Sequence, residues 1–144
     1  MVKKYELTTR RKLTNRFFAI MAKADKGPAW RLTTKGRKSG ERRHTMVTPV
    51  TIDETDYLVA PYGPVNWVLN LRASDRATLV RGRATSRVKA VEVDGEEAGK
   101  ALARYYHENK KYVAQFFDLA PHPTIIDFTR VVENHPVFRV EHPM

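Results

Sequence analysis

The alternation of apolar and polar side chains predicts a series of short strands framed by helices. In residues 11–24, apolar side chains recur at three- and four-residue steps, which predicts an amphipathic helix with a basic opposite face. Strand-like runs follow at residues 30–34, 43–52 and 57–60. The second run contains Pro49, which has no N–H to donate, so this strand is expected at a sheet edge or at a bulge.

The second half of the chain continues the pattern. Asn66 is predicted to cap a short helix over residues 67–72. Further strands are predicted at 77–81, 83–93 and 137–140, and further helices at 96–107, 110–117 and 124–132. Because short turns join most strands, we expect a mainly antiparallel sheet. The fold class is therefore α+β, a small barrel or strongly bent sheet with flanking helices, in one domain over residues 1–144.

Charge and cysteine content narrow the functional classes. The formal net charge is +10, and most of the excess falls in residues 1–31 and 72–89. Such a field attracts an anionic partner: a phosphorylated cofactor, a nucleic acid or an acidic lipid surface. The chain has no cysteine, which excludes disulfides and thiolate chemistry and is compatible with the cytoplasm. Helix 11–24 either packs on the domain or makes peripheral membrane contact.

One basic stretch, LTTKGRKSGERRHTMVT over residues 32–48, combines two strand-like runs with a tight turn. Gly36 and Gly40 lie where such a turn needs a positive φ or close backbone approach. Five cations face the single acid Glu41 within it. A rigid cluster of this kind suits a phosphate or several carboxylates, whereas a solvated turn that favours solubility is the alternative interpretation.

The sequence contains no recognisable catalytic machinery of its own. None of the five histidines is spaced with another ligand in a known metal pattern, so no metal site is expected. No G-x-S-x-G elbow occurs, and no G-x-G-x-x-G follows a strand into a helix. These features favour binding without chemistry, or chemistry carried by a bound cofactor.

The runs LTTKGRKSGERRHTMVTPV, YLVAPYG and NWVLNLRAS together resemble the deazaflavin-dependent nitroreductase family. These are actinobacterial split-barrel flavin/deazaflavin oxidoreductases of group A, related to FMN-binding split barrels, that use reduced coenzyme F420. The resemblance covers about residues 30–93, with a looser match at HPVFRVE. The combination of GRKSG, a following arginine, the loop after the third strand and a Trp-x-x-Asn-Leu helix carries it.

The resemblance implies roles for individual positions. The phosphate and carboxylate tail of the coenzyme would meet Arg37, Lys38, Ser39 and Arg43. The strand Thr45, Met46, Val47 and Thr48 would run beside the deazaflavin ring. The loop Ala60, Pro61, Tyr62 and Gly63 would lie under the ring, and Asn66, Trp67 and Asn70 would close the phosphate end. No catalytic residue stands out, and Tyr62 is a weak candidate for a hydroxyl that assists the reaction.

The implied function is hydride transfer from reduced F420 to a quinone, a nitroaromatic or an activated enone or lactone. The alternatives are an FMN-binding split-barrel protein and a basic nucleic-acid-binding module, whose affinity would fall steeply with salt. A small-molecule acceptor is the expected partner, without nucleic acid, and the protein is expected to be a monomer or homodimer. The loop 61–65 departs from the family in lacking the lysine of its Ser-Lys-Gly-Gly pattern, with Tyr62 in that place.

Overall fold

The computed structural model describes residues 29–142. The predicted amphipathic helix 11–24 lies outside these residues. The described residues form seven strands: β1 Trp30–Lys35, β2 Arg42–Val47, β3 Val50–Ile52, β4 Thr55–Val59, β5 Arg76–Arg81, β6 Ala84–Val93 and β7 Val137–Glu141. The same part of the chain contains three α-helices, α1 Asn66–Ala73, α2 Gly95–Val113 and α3 Ile125–Val131. Short 3₁₀ turns at Ala114–Phe116 and Val132–Asn134 follow α2 and α3.

All strands form one antiparallel sheet in the order β2-β1-β5-β6-β7-β4-β3. β2 and β3 lie at opposite edges of this order, yet only Thr48 and Pro49 separate them in the chain. The sheet must therefore curl until its two edges approach each other. This curled, half-barrel sheet confirms the predicted fold class, an α+β split barrel with flanking helices.

Two local predictions need correction. The run 43–52 forms two strands rather than one, because the chain leaves the first edge at Thr48 and Pro49 and enters the opposite edge. Asn66 does not cap α1: Val65 is the N-cap residue, and Asn66 is the first helical residue. The break predicted between helices 96–107 and 110–117 is present as a kink at the non-helical Asn109 within α2.

The sheet separates two hydrophobic clusters. The inner cluster fills the barrel and includes Leu32, Leu58, Leu79 and Phe138, with helix α1 closing one end through Val68 and Leu71. The outer cluster lies between α2, α3 and the strands β3, β4 and β7, and contains Val50, Val59, Phe128 and Val137. Strand alternation explains both, because successive side chains of one strand point to opposite faces of the sheet.

Helix α2 is also held on the sheet by a polar network. Glu97 accepts two hydrogen bonds of 2.8 Å from Arg139 Nη1 and one of 2.8 Å from the Tyr57 hydroxyl. Arg139 in turn donates from Nε to Glu141, at 3.1 Å. The hydrogen bond from Arg139 is the main reason that the pKa of Glu97 lies below its ordinary value. The network fixes the side of the barrel that the helices cover.

Helices α2 and α3 approach most closely at Gly99. A methyl group on Gly99 would overlap Thr129 Oγ1 and lie 3.2 Å from the Thr129 Cα and Cβ atoms. We therefore expect Gly99→Ala to lower the free energy of unfolding by about 1–3 kcal/mol, although alanine is the better helix former. Urea unfolding measures this change, and Lys100→Ala at an exposed position of the same helix is the control. Equal stability of Gly99→Ala and the wild type would show that the two helices separate at little cost.

Candidate functional site

The turn between β1 and β2 is tightly folded. The backbone N–H of Gly36 donates to Glu41 O at 2.7 Å, and that of Gly40 donates to Gly36 O at 2.8 Å. Gly40 has φ 74°, a left-handed conformation that explains why glycine occupies this position. A Cβ on Gly36 would lie 3.0 Å from Ser39 Oγ and 3.1 Å from Glu41 O, which explains the other glycine as a close approach. The turn therefore has a defined shape, as the sequence predicted.

A buried amide attaches this turn to helix α1. Asn70 is only 3% exposed. Its Oδ1 accepts from Arg37 Nη1 at 2.9 Å and from the Arg37 backbone N–H at 3.2 Å. Its Nδ2 donates to Thr34 Oγ1 at 3.1 Å. Asn66 adds a weaker contact, accepting from Arg37 Nη2 at 3.4 Å. Arg37 is thus held in place by hydrogen bonds within the protein. Asn70 supports the turn from the buried side and is not an exposed group of the turn.

The remaining cations of the turn face solvent. Arg43 lies 3.6 Å from Glu41 and donates to Ser39 Oγ at 3.5 Å, which are long, exposed contacts of little strength. Ser39 Oγ also accepts from the backbone N–H of Glu41, at 3.2 Å. Among residues 29–142, the side chains of Lys35, Lys38 and Arg42 have neither an ion pair nor a hydrogen bond. This group of solvated cations on a fixed turn is suited to an anionic ligand.

β2 places the predicted ring-binding residues along a sheet edge. Among the strands of residues 29–142 it pairs only with β1, so no other described strand bonds to the backbone groups on its other side. Such groups can pair with the N–H and C=O groups of a flat heterocycle. Thr45, Met46 and Thr48 are half-buried, whereas the Val47 side chain belongs to the inner cluster. Val47 would therefore meet a ring through its backbone.

The loop after β4 is fixed on both sides. Ala60 is fully buried in the inner cluster, and its N–H donates to Pro136 O at 2.8 Å. Gly63 has φ 97°, a conformation that favours glycine. Tyr62 is half-buried, with its ring edge-on to Phe116 at 4.9 Å. The predicted role of Tyr62 stays a prediction, and the loop itself is a rigid element at the open edge of the barrel.

His135 is the residue of this region that sequence reasoning missed. Its Nδ1 donates to Pro61 O at 2.8 Å, and its ring stacks on Phe117 with the centroids 3.8 Å apart. It is only 5% exposed. Burial lowers the pKa of His135, and the hydrogen bond to Pro61 opposes this change only in part. No motif marks this histidine, because its partner lies 74 residues earlier in the chain.

The buried His135 predicts an acid-sensitive stability. A histidine whose pKa is lowered in the folded state contributes stability that is present above its unfolded value, near 6.5, and is lost as the pH falls below it. We expect the free energy of unfolding to fall between about pH 7 and pH 5. Urea unfolding across this range measures it. His135→Gln should flatten the change and His142→Gln, at an exposed position, should not; identical profiles for both variants would contradict the assignment.

Trp67 and Asn66 lie at the start of α1, between the turn and the loop. The Trp67 ring is half-buried and lies 5.8 Å from Phe138, so it covers the inner cluster while keeping one side accessible. The structure therefore brings the turn, the start of α1 and the edge strand to one end of the barrel. Two of the predicted site residues, Ser39 and Asn70, use their side chains for hydrogen bonds within the protein.

These residues fit an elongated ligand with an anionic tail and a flat ring. The solvated cations suit the tail, because phosphates and carboxylates accept strong charge-assisted hydrogen bonds. The free strand edge and the rigid loop suit the ring. No cluster of three or more His, Asp or Glu side chains within residues 29–142 is arranged to hold a metal ion. In the same part of the chain, no helix is both long and apolar enough to cross a membrane.

Several solved structures share this architecture. An F420-H2 dependent reductase (FDR-A) is 24% identical, with a TM-score of 0.53 over 79% of this chain and 94% of its own. A structure described as a domain-swapped dimer is 23% identical, with a TM-score of 0.55 over 92% and 96%. An FAD-binding protein from Mesorhizobium loti is 14% identical, with a TM-score of 0.53 over 96% and 91%. At these identities the likeness establishes the fold alone.

The family follows from the sequence itself. The model of the F420H(2)-dependent quinone reductase family matches residues 6–120, and the chain belongs to this family. The protein is therefore an F420-dependent oxidoreductase, as the resemblance implied, and its coenzyme is F420. No curated protein sequence matches the chain. The residues that hold the coenzyme stay a prediction that the geometry above supports.

Proposed function

We propose that this protein reduces a quinone with reduced F420 and binds the coenzyme between the β1–β2 turn, the start of α1 and the loop 60–63. The family supplies the reaction class and a small-molecule acceptor. The observation that carries the site is the turn itself: Asn70 fixes Arg37 from behind, while Lys38 and Arg43 remain exposed beside it. Cations held in this way complement an anionic tail at little entropic cost.

When bound, reduced F420 supplies a hydride from its deazaflavin ring. The protein's own contribution is to bind and orient. Lys38 and Arg43 neutralise the tail. The free edge of β2 sets the orientation of the ring through backbone hydrogen bonds, and the fixed loop Ala60–Gly63 limits access of water on the other side. Backbone N–H groups at this edge also stabilise negative charge that develops on the acceptor oxygen.

The acceptor class rests on the family and on the shape of the site. A quinone is flat and apolar, and it gains negative charge on oxygen when it accepts a hydride, which suits an edge of backbone donors. Nitroaromatics and activated enones or lactones share the flat shape and the developing charge. They are therefore alternative acceptors of the same site rather than evidence for another reaction.

The test begins with binding. Purified protein is titrated with F420, FMN and FAD by fluorescence, and we expect saturable binding of F420 alone. Reduced F420 is then mixed with a quinone, a nitroaromatic and an enone, and oxidation of the coenzyme is followed by absorbance. We expect the quinone to have the highest kcat/KM. Tight binding of FMN instead of F420 would overturn the coenzyme assignment, and faster reduction of a nitroaromatic would overturn the acceptor assignment.

A further inference from the structure

One half of the barrel's outer surface is a broad basic face. Helices α2 and α3 cover the outside of β3, β4 and β7 and the end of β6 at Val93, but within residues 29–142 the outer cluster contains no residue of β2, β1 or β5. Six cations project from β2, β1, β5 and β6 on the outer side: Arg31, Lys35, Arg42, Arg76, Arg87 and Lys89. We call this surface the basic face.

Strand register places these side chains on one side of the sheet. Residues paired directly across an antiparallel sheet share a face. Lys35 pairs with Arg42, and Arg76 pairs with Lys89. Arg31 is two residues from Thr33, which pairs with Thr78, and Thr78 pairs with Arg87. The alternate positions, among them Leu32, Thr34, Leu79 and Val88, are buried in the barrel.

The basic face has little internal neutralisation. Two acids lie beside these cations in the described part of the chain: Asp75 is 3.7 Å from Arg76 Nε and 3.8 Å from Lys89 Nζ, and Glu141 pairs directly with Lys89 across β6 and β7. Beyond β6 the outer surface no longer has an excess of positive charge, because Arg139 forms ion pairs with both Glu97 and Glu141. Arg31, Lys35, Arg42 and Arg87 are exposed, so the face presents cationic groups to solvent.

We propose that the basic face docks on an acidic lipid surface. Charge complementarity selects an anionic partner and opposes a second copy of this chain, since two such faces would repel each other. Residues 1–28, which lie outside the described part, are also rich in Lys and Arg and do not complement it. The exposed cations Arg31, Lys35, Arg42 and Arg87 project on the same side of neighbouring strands, and each one that reaches the headgroups contributes to binding.

A nucleic acid is the less suitable partner. Single-stranded nucleic acids bind to aromatic side chains that stack on the bases, and grooves of duplexes admit a projecting helix or ribbon. The basic face carries neither, because Trp30 lies on the inner side of β1 and packs with the inner cluster. Lys35 and Arg42 also border the β1–β2 turn. Docking would therefore hold the proposed coenzyme site at the level of the lipid headgroups.

The test is co-sedimentation of the full chain with phosphatidylcholine vesicles, with and without phosphatidylserine. We expect binding only to the acidic vesicles and release at high salt. Arg31→Gln/Arg87→Gln should weaken partitioning by about 30-fold, because each cation near an acidic surface accounts for roughly fivefold. Lys110→Gln/Arg130→Gln removes the same charge from exposed positions on the helical side and should bind within about threefold of the wild type.

The outcomes separate the proposal from its alternatives. Equal loss in both variants would show that net charge, not the basic face, drives binding. Undiminished binding of Arg31→Gln/Arg87→Gln would assign the membrane contact to residues 1–28, and no binding to acidic vesicles would exclude docking altogether. Tighter binding to an oligonucleotide duplex than to vesicles, lost only in Arg31→Gln/Arg87→Gln, would make the face a nucleic-acid surface. None of these readouts requires coenzyme, so they are independent of the proposed reaction.

Discussion

Asn70→Ala is expected to lower the free energy of unfolding by about 2–3 kcal/mol and to weaken F420 binding in the molecules that remain folded. The amide receives two hydrogen bonds from Arg37 and donates one to Thr34, all in a site that is 3% exposed. Its removal leaves the Arg37 backbone N–H and the Thr34 hydroxyl without their partner and frees the Arg37 side chain. Urea unfolding and fluorescence titration with F420 measure the two effects.

Asn70→Asp separates positioning from charge. The aspartate keeps the shape of the amide and accepts more strongly from Arg37, while the Thr34 hydroxyl can reverse and donate. We expect stability within about 1 kcal/mol of the wild type but weaker F420 binding, because a negative charge now lies behind the turn that attracts the tail. Unchanged F420 affinity in both Asn70 variants would show that the coenzyme binds elsewhere.

Lys38→Ala and Arg43→Ala are each expected to weaken F420 binding by about 10- to 100-fold, since a hydrogen bond to a charged group contributes about 1.5–3 kcal/mol. Both side chains are exposed, and the contacts of Arg43 within the protein are long. Their removal should therefore change the free energy of unfolding by less than about 0.5 kcal/mol. Fluorescence titration gives the affinity, and urea unfolding gives the stability.

Arg104→Ala is the matched control for these variants. Arg104 is an exposed cation on α2, on the helical side of the barrel, with a single 3.3 Å hydrogen bond to Thr51 O. Its removal changes the net charge by the same amount and should leave F420 affinity within about twofold. If Lys38→Ala and Arg43→Ala bind F420 no more weakly than Arg104→Ala, the turn does not hold the tail.

Local pattern predicted the elements well where one side of a strand or helix is buried. β1 and β5 were placed within one residue and β4 within two, because their alternation reflects the inner cluster. Pro49 predicted an edge strand or a bulge, and both strands beside it, β2 and β3, lie at sheet edges. That it joins opposite edges of one sheet depends on the curl of all seven strands, which no local window contains.

The exposed cations of the candidate site could be predicted from the sequence, but the buried residues that hold the site in place could not. Lys38 and Arg43 are visible as a basic cluster with two glycines. The roles of Asn70 and His135 depend on partners far away in the sequence, at Arg37 and Pro61. A lone buried histidine has no signature in one sequence. Asn66 was wrongly predicted to be the N-cap of α1 because its side chain suits that position. Here the Asn66 side chain contacts Arg37 instead.

The position of β7 in the sheet has a consequence for how the chain folds during synthesis. β7 is the last of these seven strands in sequence but lies between β6 and β4, where Val137 pairs with both Val59 and Val93. Until it leaves the ribosome, β2-β1-β5-β6 and β3-β4 are two separate ribbons with unpaired edges. The barrel can therefore close only after β7 has emerged, and the emergence of this strand, rather than formation of the first hairpins, limits when the native barrel first exists.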